Sequence, residues 1–165
     1  MQEFRSVVER HAAMVQRIVS AYERRPDIAE EIVQDTFLAV WRSLPRLRRA
    51  TSERAFIARI ARNLSISHVR RALKMPQTSL DERVPDTADV PEEAMALAQT
   101  RARLAQAVHD LPDTLRGPIV LFLEGFGQTE IAEVLGLSLT NAGVRLSRAR
   151  EALSLAMKEP SDDGR

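Results

Sequence analysis

Residues 127–153 read GQTEIAEVLGLSLTNAGVRLSRAREAL, and this stretch decides the fold of the C-terminal part of the chain. Its first half carries Ile131, Ala132 and Leu135 at the spacing of one helix face and stops at Gly136. Ser138 then supplies a good helix N-cap, and the apolar positions beyond it advance by four, three and four residues. They are Ala142, Leu146, Ala149 and Leu153. The pattern predicts two helices joined by a short turn containing glycine, which is a helix-turn-helix.

The second helix of such a motif enters the DNA major groove, so its polar face is a candidate reading surface. Asn141, Arg145 and Arg148 are predicted to lie opposite the apolar stripe. Amide and guanidinium groups bond to base edges and phosphates, which favours DNA binding. The alternative is an ordinary helical hairpin whose basic face is only solvated.

The formal net charge of +1 conceals three blocks of different sign. Residues 1–74 contain 15 Lys and Arg against 8 Asp and Glu, residues 75–93 contain 1 against 6, and residues 94–165 contain 8 against 9. A basic N-terminal half is typical of a polyanion-binding surface, because neutralised phosphates release counterions. The alternative is a basic domain that is merely soluble.

Length and composition indicate a folded, all-helical protein. The 165 residues, 44% of them hydrophobic, suffice for one medium domain or two small ones, and no strand-like alternation occurs. The absence of cysteine fits a reducing cytoplasm. Residues 1–20 are charged throughout, so neither a signal peptide nor a membrane span is expected.

The N-terminal half is predicted to open with two amphipathic helices. The first spans 6–22, and the second starts at an Asp27 cap and runs to about Leu44. On the second helix, Glu31, Gln34 and Asp35 form a polar strip beside Phe37. That strip is either plain solvated surface or a docking face for a basic partner.

A longer basic helix follows a breaker and a basic loop at 45–52. Ser52 is predicted to cap a helix over 53–74 in which His68 lies among the apolar positions, as a core histidine with a hydrogen-bond partner. The opposite sector is predicted to hold a basic strip with one exposed aliphatic side chain, comprising Arg59, Arg62, Asn63, Ile66 and Arg70. Such a strip suits phosphate and base contacts, although a solvated basic helix is the alternative.

Residues 75–93 are predicted to be a flexible acidic linker, since they contain three prolines and few large apolar side chains. The linker would divide a domain at 1–74 from one at 94–158, with a disordered tail at 159–165. Its acidity is either solubilising charge or a mimic of nucleic acid. Beyond it, a helix from Glu92 to Leu111 precedes one in which Leu115, Ile119, Val120, Phe122 and Leu123 are expected to be buried.

No pattern of catalytic or metal-binding chemistry is present. The histidines His11, His68 and His109 stand in separate segments, and neither a Gly-rich phosphate loop nor a nucleophile elbow occurs. We therefore expect no enzyme, no cofactor, no metal and no small-molecule substrate.

Three segments in this order resemble the extracytoplasmic-function (ECF) subgroup of bacterial RNA polymerase sigma factors. They are AEEIVQDTFLAVW at 29–41, FIARIARNLSISHVRR at 56–71, and the segment that runs from 111 through the helix-turn-helix. The resemblance covers roughly 5–155. It implies a cytoplasmic, all-helical protein of two domains, whose partners are core RNA polymerase, promoter DNA and an anti-sigma factor.

The resemblance also implies roles for four sets of residues. The set that would bind core polymerase is Glu31, Gln34, Asp35, Phe37 and Trp41. The set that would capture the minus-ten element as it melts is Arg59, Arg62, Asn63, Ile66, Arg70 and Arg71. A loop over 47–54 would hold a flipped base through Leu47, Arg48, Arg49 and Arg54. The set that would read the minus-thirty-five element is Ser138, Thr140, Asn141, Arg145, Arg148 and Arg150.

Three positions depart from the family pattern. Gly143 replaces a lysine that is common early in the recognition helix, Gly127 replaces a serine cap, and Ser67 replaces an aspartate of the minus-ten helix. Gly143 and Ser67 affect the expected promoter sequence and not the function class, and Gly127 is a weaker but permitted cap. The alternative function is a stand-alone helix-turn-helix regulator whose N-terminal half dimerises or senses a ligand, and a third class is a helical enzyme or interaction module.

Overall fold

The computed structural model describes residues 1–74 and 91–158, and within those ranges it contains eight α-helices and no strand. The prediction of an all-helical chain is confirmed. Residues 75–90 of the linker predicted over 75–93 and the tail at 159–165 lie outside the described residues, while Glu92 and Glu93 of that linker begin the helix α5. The helices are α1 Gln2–Tyr22, α2 Pro26–Arg42, α3 Leu44–Leu47, α4 Glu53–Ala72, α5 Glu92–Asp110, α6 Asp113–Leu123, α7 Gln128–Leu135 and α8 Leu139–Lys158.

The N-terminal part is built from α1, α2 and α4, which pack on one another. The apolar stripes predicted from periodicity supply its core, and the fully buried members are Val15, Ile18, Val19, Ile32, Val40, Ile57, Ala58 and Ala61. Two hydroxyls inside this core donate to carbonyl oxygens one turn back, Thr36 to Ile32 at 2.8 Å and Ser65 to Ala61 at 2.7 Å. Because both hydroxyls have an acceptor, their burial is tolerated.

Two local predictions for this part were wrong. Asp27 does not cap α2, because the helix begins one residue earlier with Pro26 in its first turn, and the N-cap residue Arg25 makes no side-chain cap bond. The segment after α2 is not all loop, since α3 occupies Leu44–Leu47. Both differences have one cause: proline fits the first turn of a helix, where its missing N–H has no intrahelical partner to lose. A proline that reads as a breaker therefore starts a helix in both places.

The C-terminal part consists of α5 to α8. Its buried apolar residues include Val108, Leu121, Phe126, Ile131, Ala142 and Ala149. The expectation that α6 would be buried along its whole apolar run was wrong, since Phe122 is 38% and Leu123 is 51% exposed. Similarly, Met95 and Leu97 near the start of α5 are exposed. A continuous run of apolar residues extends all round a helix, whereas each helix packs only one of its faces against the core.

The helix-turn-helix forms as predicted. α7 ends at Gly136, which has the left-handed φ of +66°, and the N–H of Leu137 donates to the Ala132 carbonyl at 2.9 Å. This left-handed glycine stop is common at helix C-termini. The Ser138 hydroxyl then accepts the backbone N–H of Asn141 at 3.1 Å, which caps α8. Ala142, Ala149 and Leu153 form the buried stripe of α8.

The two parts pack against each other, which the sequence did not predict. α4 contacts α7, and α1 contacts both α5 and α6. The fold therefore positions the basic helix α4 beside the first helix of the helix-turn-helix.

Candidate nucleic-acid interface

The polar face of α8 is an open surface within the part of the chain that the structure describes. Thr140, Asn141 and Arg148 are exposed, and Arg145 is half-buried. The Arg145 guanidinium donates to the Asn141 side-chain oxygen at 3.2 Å, which orders the two side chains relative to each other. Because the apolar stripe is buried on the opposite side of α8, the predicted reading face points outward as expected.

Two members of the predicted minus-thirty-five set have structural contacts of their own. The hydroxyl of Ser138 is occupied as the α8 cap, although the residue is exposed. Arg150 lies with its guanidinium carbon 5.2 Å from the centre of the Phe122 ring, a cation–π contact with α6. Arg150 is therefore at the edge of the α8 surface, whereas Asn141, Arg145 and Arg148 form its middle.

Gly143 and Gln128 form an interlocked pair between α8 and α7. The Gln128 side-chain amide donates to the Leu139 carbonyl at 2.9 Å and lies directly over Gly143. A Cβ atom at position 143 would be 2.6 Å from the Gln128 side-chain nitrogen. The glycine, noted from the sequence as an unusual residue in this helix, leaves the space that the amide occupies.

The predicted minus-ten strip on α4 divides into an open end and a covered end. Asn63, Arg70 and Arg71 are exposed. Ile66, which was expected to be exposed, instead packs against the core. Arg62 is half-buried, and its Nε atom is fully buried without a hydrogen-bond partner.

The burial of Arg62 has a specific cause in the C-terminal part. Gly117 of α6 approaches it so closely that a Cβ on this glycine would be 3.3 Å from the Arg62 Nε atom. The helical wheel correctly places Arg62 away from the core of its own part. It does not show that a second group of helices covers that side.

Arg59, also in the predicted minus-ten set, is bonded to α7. Its guanidinium donates to the carbonyl oxygens of Glu133 and of Val134, the latter at 3.2 Å. These oxygens belong to the last turn of α7, where the helix dipole places partial negative charge. The exposed Arg59 side chain is thereby held by carbonyl oxygens that carry partial negative charge, as the oxygens of an anion would.

The four residues of the predicted flipped-base set have different surroundings and do not meet at one site. Leu47 is only 5% exposed because it belongs to the short helix α3 and packs in the core, so this arrangement does not present it to a base, and its contact with a base stays a prediction. Arg48 pairs with Glu3 at 2.5 Å, and Arg49 is exposed. Arg54 lies over the Phe126 ring, with 4.1 Å between the guanidinium carbon and the ring centre.

A cavity of about 220 Å³ lies where this loop meets α7. The N-terminal part contributes the backbone and side chains of the loop and the start of α4, and the C-terminal part contributes the end of α7. Its lining includes Thr51, Ser52, Phe56, Arg59, Glu133 and Val134. The position that was predicted to take an extruded base is therefore enclosed partly by α7.

The predicted polymerase-docking face on α2 is exposed at Glu31, Gln34 and Trp41. Phe37, in contrast, packs against the core. Asp35 is bonded to His68 of α4, with 3.3 Å between the carboxylate oxygen and Nε2, which confirms the prediction of a partnered histidine there. Trp41 is 41% exposed and makes an edge contact with Phe4 of α1.

Tyr22 lies between arginines of the two parts. The guanidinium carbon of Arg116 is 5.5 Å from the centre of the Tyr22 ring, and the same guanidinium donates to the carbonyls of His109 and Leu111. Burial raises the pKa of the Tyr22 hydroxyl, while the positive charge of Arg62 opposes that rise. The hydroxyl therefore remains protonated at neutral pH.

Residues 1–74 and 91–158 show neither a membrane-spanning helix nor a metal-binding cluster. No helix in these ranges is long and apolar enough to cross a membrane. In the same ranges, His, Asp and Glu side chains do not gather in groups of three or more that could hold a metal ion.

The fold and the surfaces define a class: an all-helical protein with a helix-turn-helix and a second basic helix, both suited to DNA. Comparisons with known proteins place it within that class. Residues 7–74 match the family model of sigma-70 region 2, and residues 101–153 match that of sigma-70, region 4.

Curated relatives carry the same assignment. The chain is 31% identical over 157 residues to the ECF RNA polymerase sigma factor SigE of Mycolicibacterium smegmatis, an overlap covering 93% of this chain and 61% of SigE. It is 29% identical over 169 residues to the RNA polymerase sigma factor CnrH of Cupriavidus metallidurans, which covers 96% of this chain and 88% of CnrH. The chain belongs to the ECF sigma factors, the subgroup that its sequence motifs resemble.

Solved structures share the fold. CnrH in complex with the cytosolic domain of CnrY is similar with a TM-score of 0.69 and 27% identity, over 93% of this chain and 86% of that one. The sigma factor RpoE of Bartonella quintana, in complex with the anti-sigma factor NepR, gives a TM-score of 0.73 at 19% identity, over 96% and 98%. Members of this family are in general DNA-recognition subunits and not enzymes.

Sequence reasoning missed several residues that shape the candidate interface. Arg17 of α1 forms a two-bonded ion pair with Glu124 at the end of α6, at 2.7 and 2.8 Å. Gly117 and Gln128 were also overlooked. A glycine followed by proline inside a helical run was the available signal at 117, because it indicates close approach of another backbone or side chain. Nothing in the sequence connects Arg17 with Glu124, since 107 residues separate them.

Proposed function

We propose that this chain binds core RNA polymerase and directs it to a specialised set of promoters, where it takes part in promoter melting and the initiation of transcription. The observation that carries the proposal is the open, ordered polar face of α8 in a chain that also presents exposed cationic side chains on α4. One surface suits duplex DNA, and the other suits a strand that is being melted. Core polymerase would hold both surfaces on one promoter.

In this proposal α8 reads the minus-thirty-five element. Asn141 is suited to adenine, because its amide can pair with N6 and N7, and Arg145 and Arg148 are suited to guanine or phosphate. The Asn141–Arg145 hydrogen bond fixes the relative placement of two of these groups before DNA arrives. Thr140, at the beginning of α8, would supply a polar contact to the adjacent sugar–phosphate backbone of the DNA.

The minus-ten element would bind along α4. Asn63, Arg70 and Arg71 are available as the structure stands, whereas Arg59 and Arg62 contact the C-terminal part. Binding through all five therefore requires the two parts to separate. Arg49 in the preceding loop and Arg54 in the first turn of α4 flank the place proposed for a flipped base.

Core polymerase would dock on α2. Glu31 and Gln34 supply exposed polar groups, and Trp41 supplies exposed apolar area on the same helix. Phe37 supports this surface from the core, and Asp35 is held by His68. The corresponding domain division is 1–74 for polymerase and minus-ten contacts, 75–93 for the linker and 94–158 for minus-thirty-five contacts.

An anti-sigma factor is the proposed regulator, and the cytoplasm is the proposed location. The relative CnrH was solved with the cytosolic domain of CnrY, which supports a protein partner of this kind. The acidic linker would thread toward the RNA exit path of the polymerase, and the first half of the helix-turn-helix would rest on the polymerase flap. No catalytic step of its own is proposed for the chain, because it would act by recognition.

Run-off transcription across genomic DNA with purified core polymerase and this chain tests the proposal. We expect promoter-specific transcripts that disappear without the chain, and retention of core polymerase by the immobilised chain at moderate salt. The absence of both would contradict the proposal. Tight binding to a palindromic duplex without polymerase would instead favour a stand-alone helix-turn-helix regulator.

A further inference from the structure

Three arginines on one side of the N-terminal part each contact an oxygen or an aromatic ring of the C-terminal part. Arg17 binds the Glu124 carboxylate through two hydrogen bonds, Arg59 binds carbonyl oxygens at the end of α7, and Arg54 stacks on Phe126. The acceptors come from neighbouring segments, the end of α6, the loop after it and α7. All of them lie within residues 124–134, and we call the side of this stretch that contacts the N-terminal part the Glu124–Val134 surface.

The Glu124–Val134 surface offers arginine the same two kinds of group as a single DNA strand does, namely negatively charged oxygens and a flat aromatic face. Arginine binds single strands through anionic oxygens and through the flat faces of unstacked bases. Here the Glu124 carboxylate and the carbonyls at the negative end of α7 provide the oxygens, and the Phe126 ring provides the flat face. The open pocket at the loop before α4 is lined in part by Glu133 and Val134 of the same segment.

The Glu124 side of this contact is shielded from water, whereas the Arg17 side chain is 61% exposed. The Glu124 side chain is only 9% exposed, so its charge pair with Arg17 is better shielded from water than a typical surface pair. Gly125 has a φ of +86°, a conformation that glycine adopts readily, and it turns the chain between Glu124 and Phe126. An added Cβ there would be 3.6 Å from the Arg54 guanidinium, so the turn also brings the backbone close to that arginine.

We infer that the Glu124–Val134 surface is an internal mimic of single-stranded DNA, which occupies part of the minus-ten surface of the free chain and must be displaced before that surface binds a melted strand. The inference rests on the proposed function for the identity of the strand. The groups that this surface engages are Arg54, Arg59 and the adjoining pocket, all of which belong to the proposed minus-ten region. Arg17 and Glu124 belong to none of the proposed DNA or polymerase sets, and together they hold the mimic in place.

The test asks whether removal of the Arg17 charge weakens or tightens binding to single-stranded DNA. Arg17→Gln removes a positive charge, so ordinary electrostatics predicts weaker binding of the full-length chain to a short fluorescent single-stranded oligothymidylate. The mimic predicts the opposite, since loss of the Arg17–Glu124 pair releases Arg54 and Arg59. We expect binding about three-fold tighter, as for the loss of a partly shielded ion pair. Glu124→Gln is expected to tighten binding in the same direction.

Arg5→Gln is the matched control. Arg5 is on the same helix as Arg17, and its partner is Glu9 one turn away on α1. Its removal changes the net charge equally but leaves the contact between the two parts intact, so binding is expected to weaken slightly. If Arg17→Gln weakens binding as Arg5→Gln does, the inference is overturned.

Separation of the two parts is measured directly with fluorescent dyes. The chain has no cysteine, so Glu30→Cys and Ser154→Cys provide specific attachment sites on exposed positions of α2 and α8. Energy transfer should fall in Arg17→Gln and when oligothymidylate is added to the natural chain, and it should recover in the charge-swapped variant Arg17→Glu/Glu124→Arg. Transfer that stays constant in all of these would also overturn the inference.

Failure of this inference is distinguishable from failure of the proposed function. If run-off transcription succeeds but Arg17→Gln neither opens the chain nor tightens binding, the mimic is wrong and the function stands. If the chain opens as expected but supports no transcription with core polymerase, the closed contact is real and the proposed function fails. Circular dichroism of each variant confirms that the helices remain folded.

Discussion

The polar faces of α4 and α8 have the same chemistry and opposite surroundings. Each combines an asparagine with arginines on the side of a helix turned away from its apolar stripe. On α8, Asn141 and Arg148 face solvent, while on α4 the guanidiniums of Arg59 and Arg62 contact the other part of the molecule. Arginine-rich surface alone therefore does not mean that a surface is ready to bind.

The functional meaning of this difference follows from what each face would bind. Duplex DNA is present at all times, so a duplex-reading face loses nothing by being open. A single strand appears only when a promoter melts, and an open single-strand site would collect other polyanions at any time. The four predictions that follow test this comparison, beginning with the largest expected effect.

Arg148→Ala should weaken binding to the minus-thirty-five element by about 1–3 kcal/mol, the cost of losing one specific guanidinium contact. Because Arg148 is exposed, the free energy of unfolding should change little. Binding of the polymerase-bound chain to promoter fragments measures the first quantity, and urea unfolding measures the second. Arg101→Ala removes an exposed charge from the same part but not from α8, and equal losses in the two variants would contradict the open-face assignment.

Gly117→Val should destabilise the chain by about 1–3 kcal/mol through overpacking. Even the Cβ would be 3.3 Å from both the Arg62 Nε atom and a methyl of Leu135, and valine adds two further methyls. Urea unfolding gives the free-energy change. At Gly127 no atom lies within 4 Å of an added Cβ, so Gly127→Ser is the control and should shift stability by only a few tenths of a kcal/mol. Similar effects at the two glycines would show that Arg62 is not tightly packed.

Gly143→Ala should have a smaller effect, and its size should depend on Gln128. Alanine favours an α-helix over glycine by about 1 kcal/mol, but here it displaces the Gln128 amide and its hydrogen bond to Leu139. We expect almost no net change in the natural background and a gain of about 1 kcal/mol when Gln128 is already alanine. A double-mutant cycle in urea measures the coupling, and additive effects would refute the interlock.

Glu53 should make the stability of the N-terminal part sensitive to acid. The hydrogen bond from Arg10 is the main cause that lowers the pKa of the Glu53 carboxyl, and the bond from His11 adds to it against partial burial. A carboxyl with a lowered pKa in the folded state stabilises the fold above its unfolded pKa, near about 4, and loses that contribution as the pH falls through the folded value.

The thermal midpoint of the natural chain should therefore fall more steeply than that of Glu53→Gln as the pH drops below about 4. We expect a small difference, because the Glu53 side chain is 37% exposed and solvent screens the pair. Glu9→Gln, on the exposed side of α1, serves as control and should retain the acid dependence of the natural chain. If Glu53→Gln keeps the full steepness, this ion pair does not link α1 to α4 in solution.

Local features were predictable because their causes are local. The left-handed Gly136, the Ser138 cap, the Ser52 cap of α4 and the apolar stripe of α8 all depend on residues within a few positions of one another. The reading face of α8 followed from the same periodicity. Prediction failed first at prolines, because Pro26 and Pro45, which read as helix breakers, each lie in the first turn of a helix.

The sequence by itself determined seven of the eight helices found in residues 1–74 and 91–158, including the helix-turn-helix, and the position of the basic and acidic blocks. Periodicity and capping are properties of neighbouring residues, so a linear reading suffices for them. Only the tertiary structure decided that Leu47 and Ile66 are core residues, that Gly117 receives Arg62, and that Arg17 meets Glu124. Periodicity identifies the side of a helix that avoids its own core, but what covers that side depends on contacts between residues far apart in the chain.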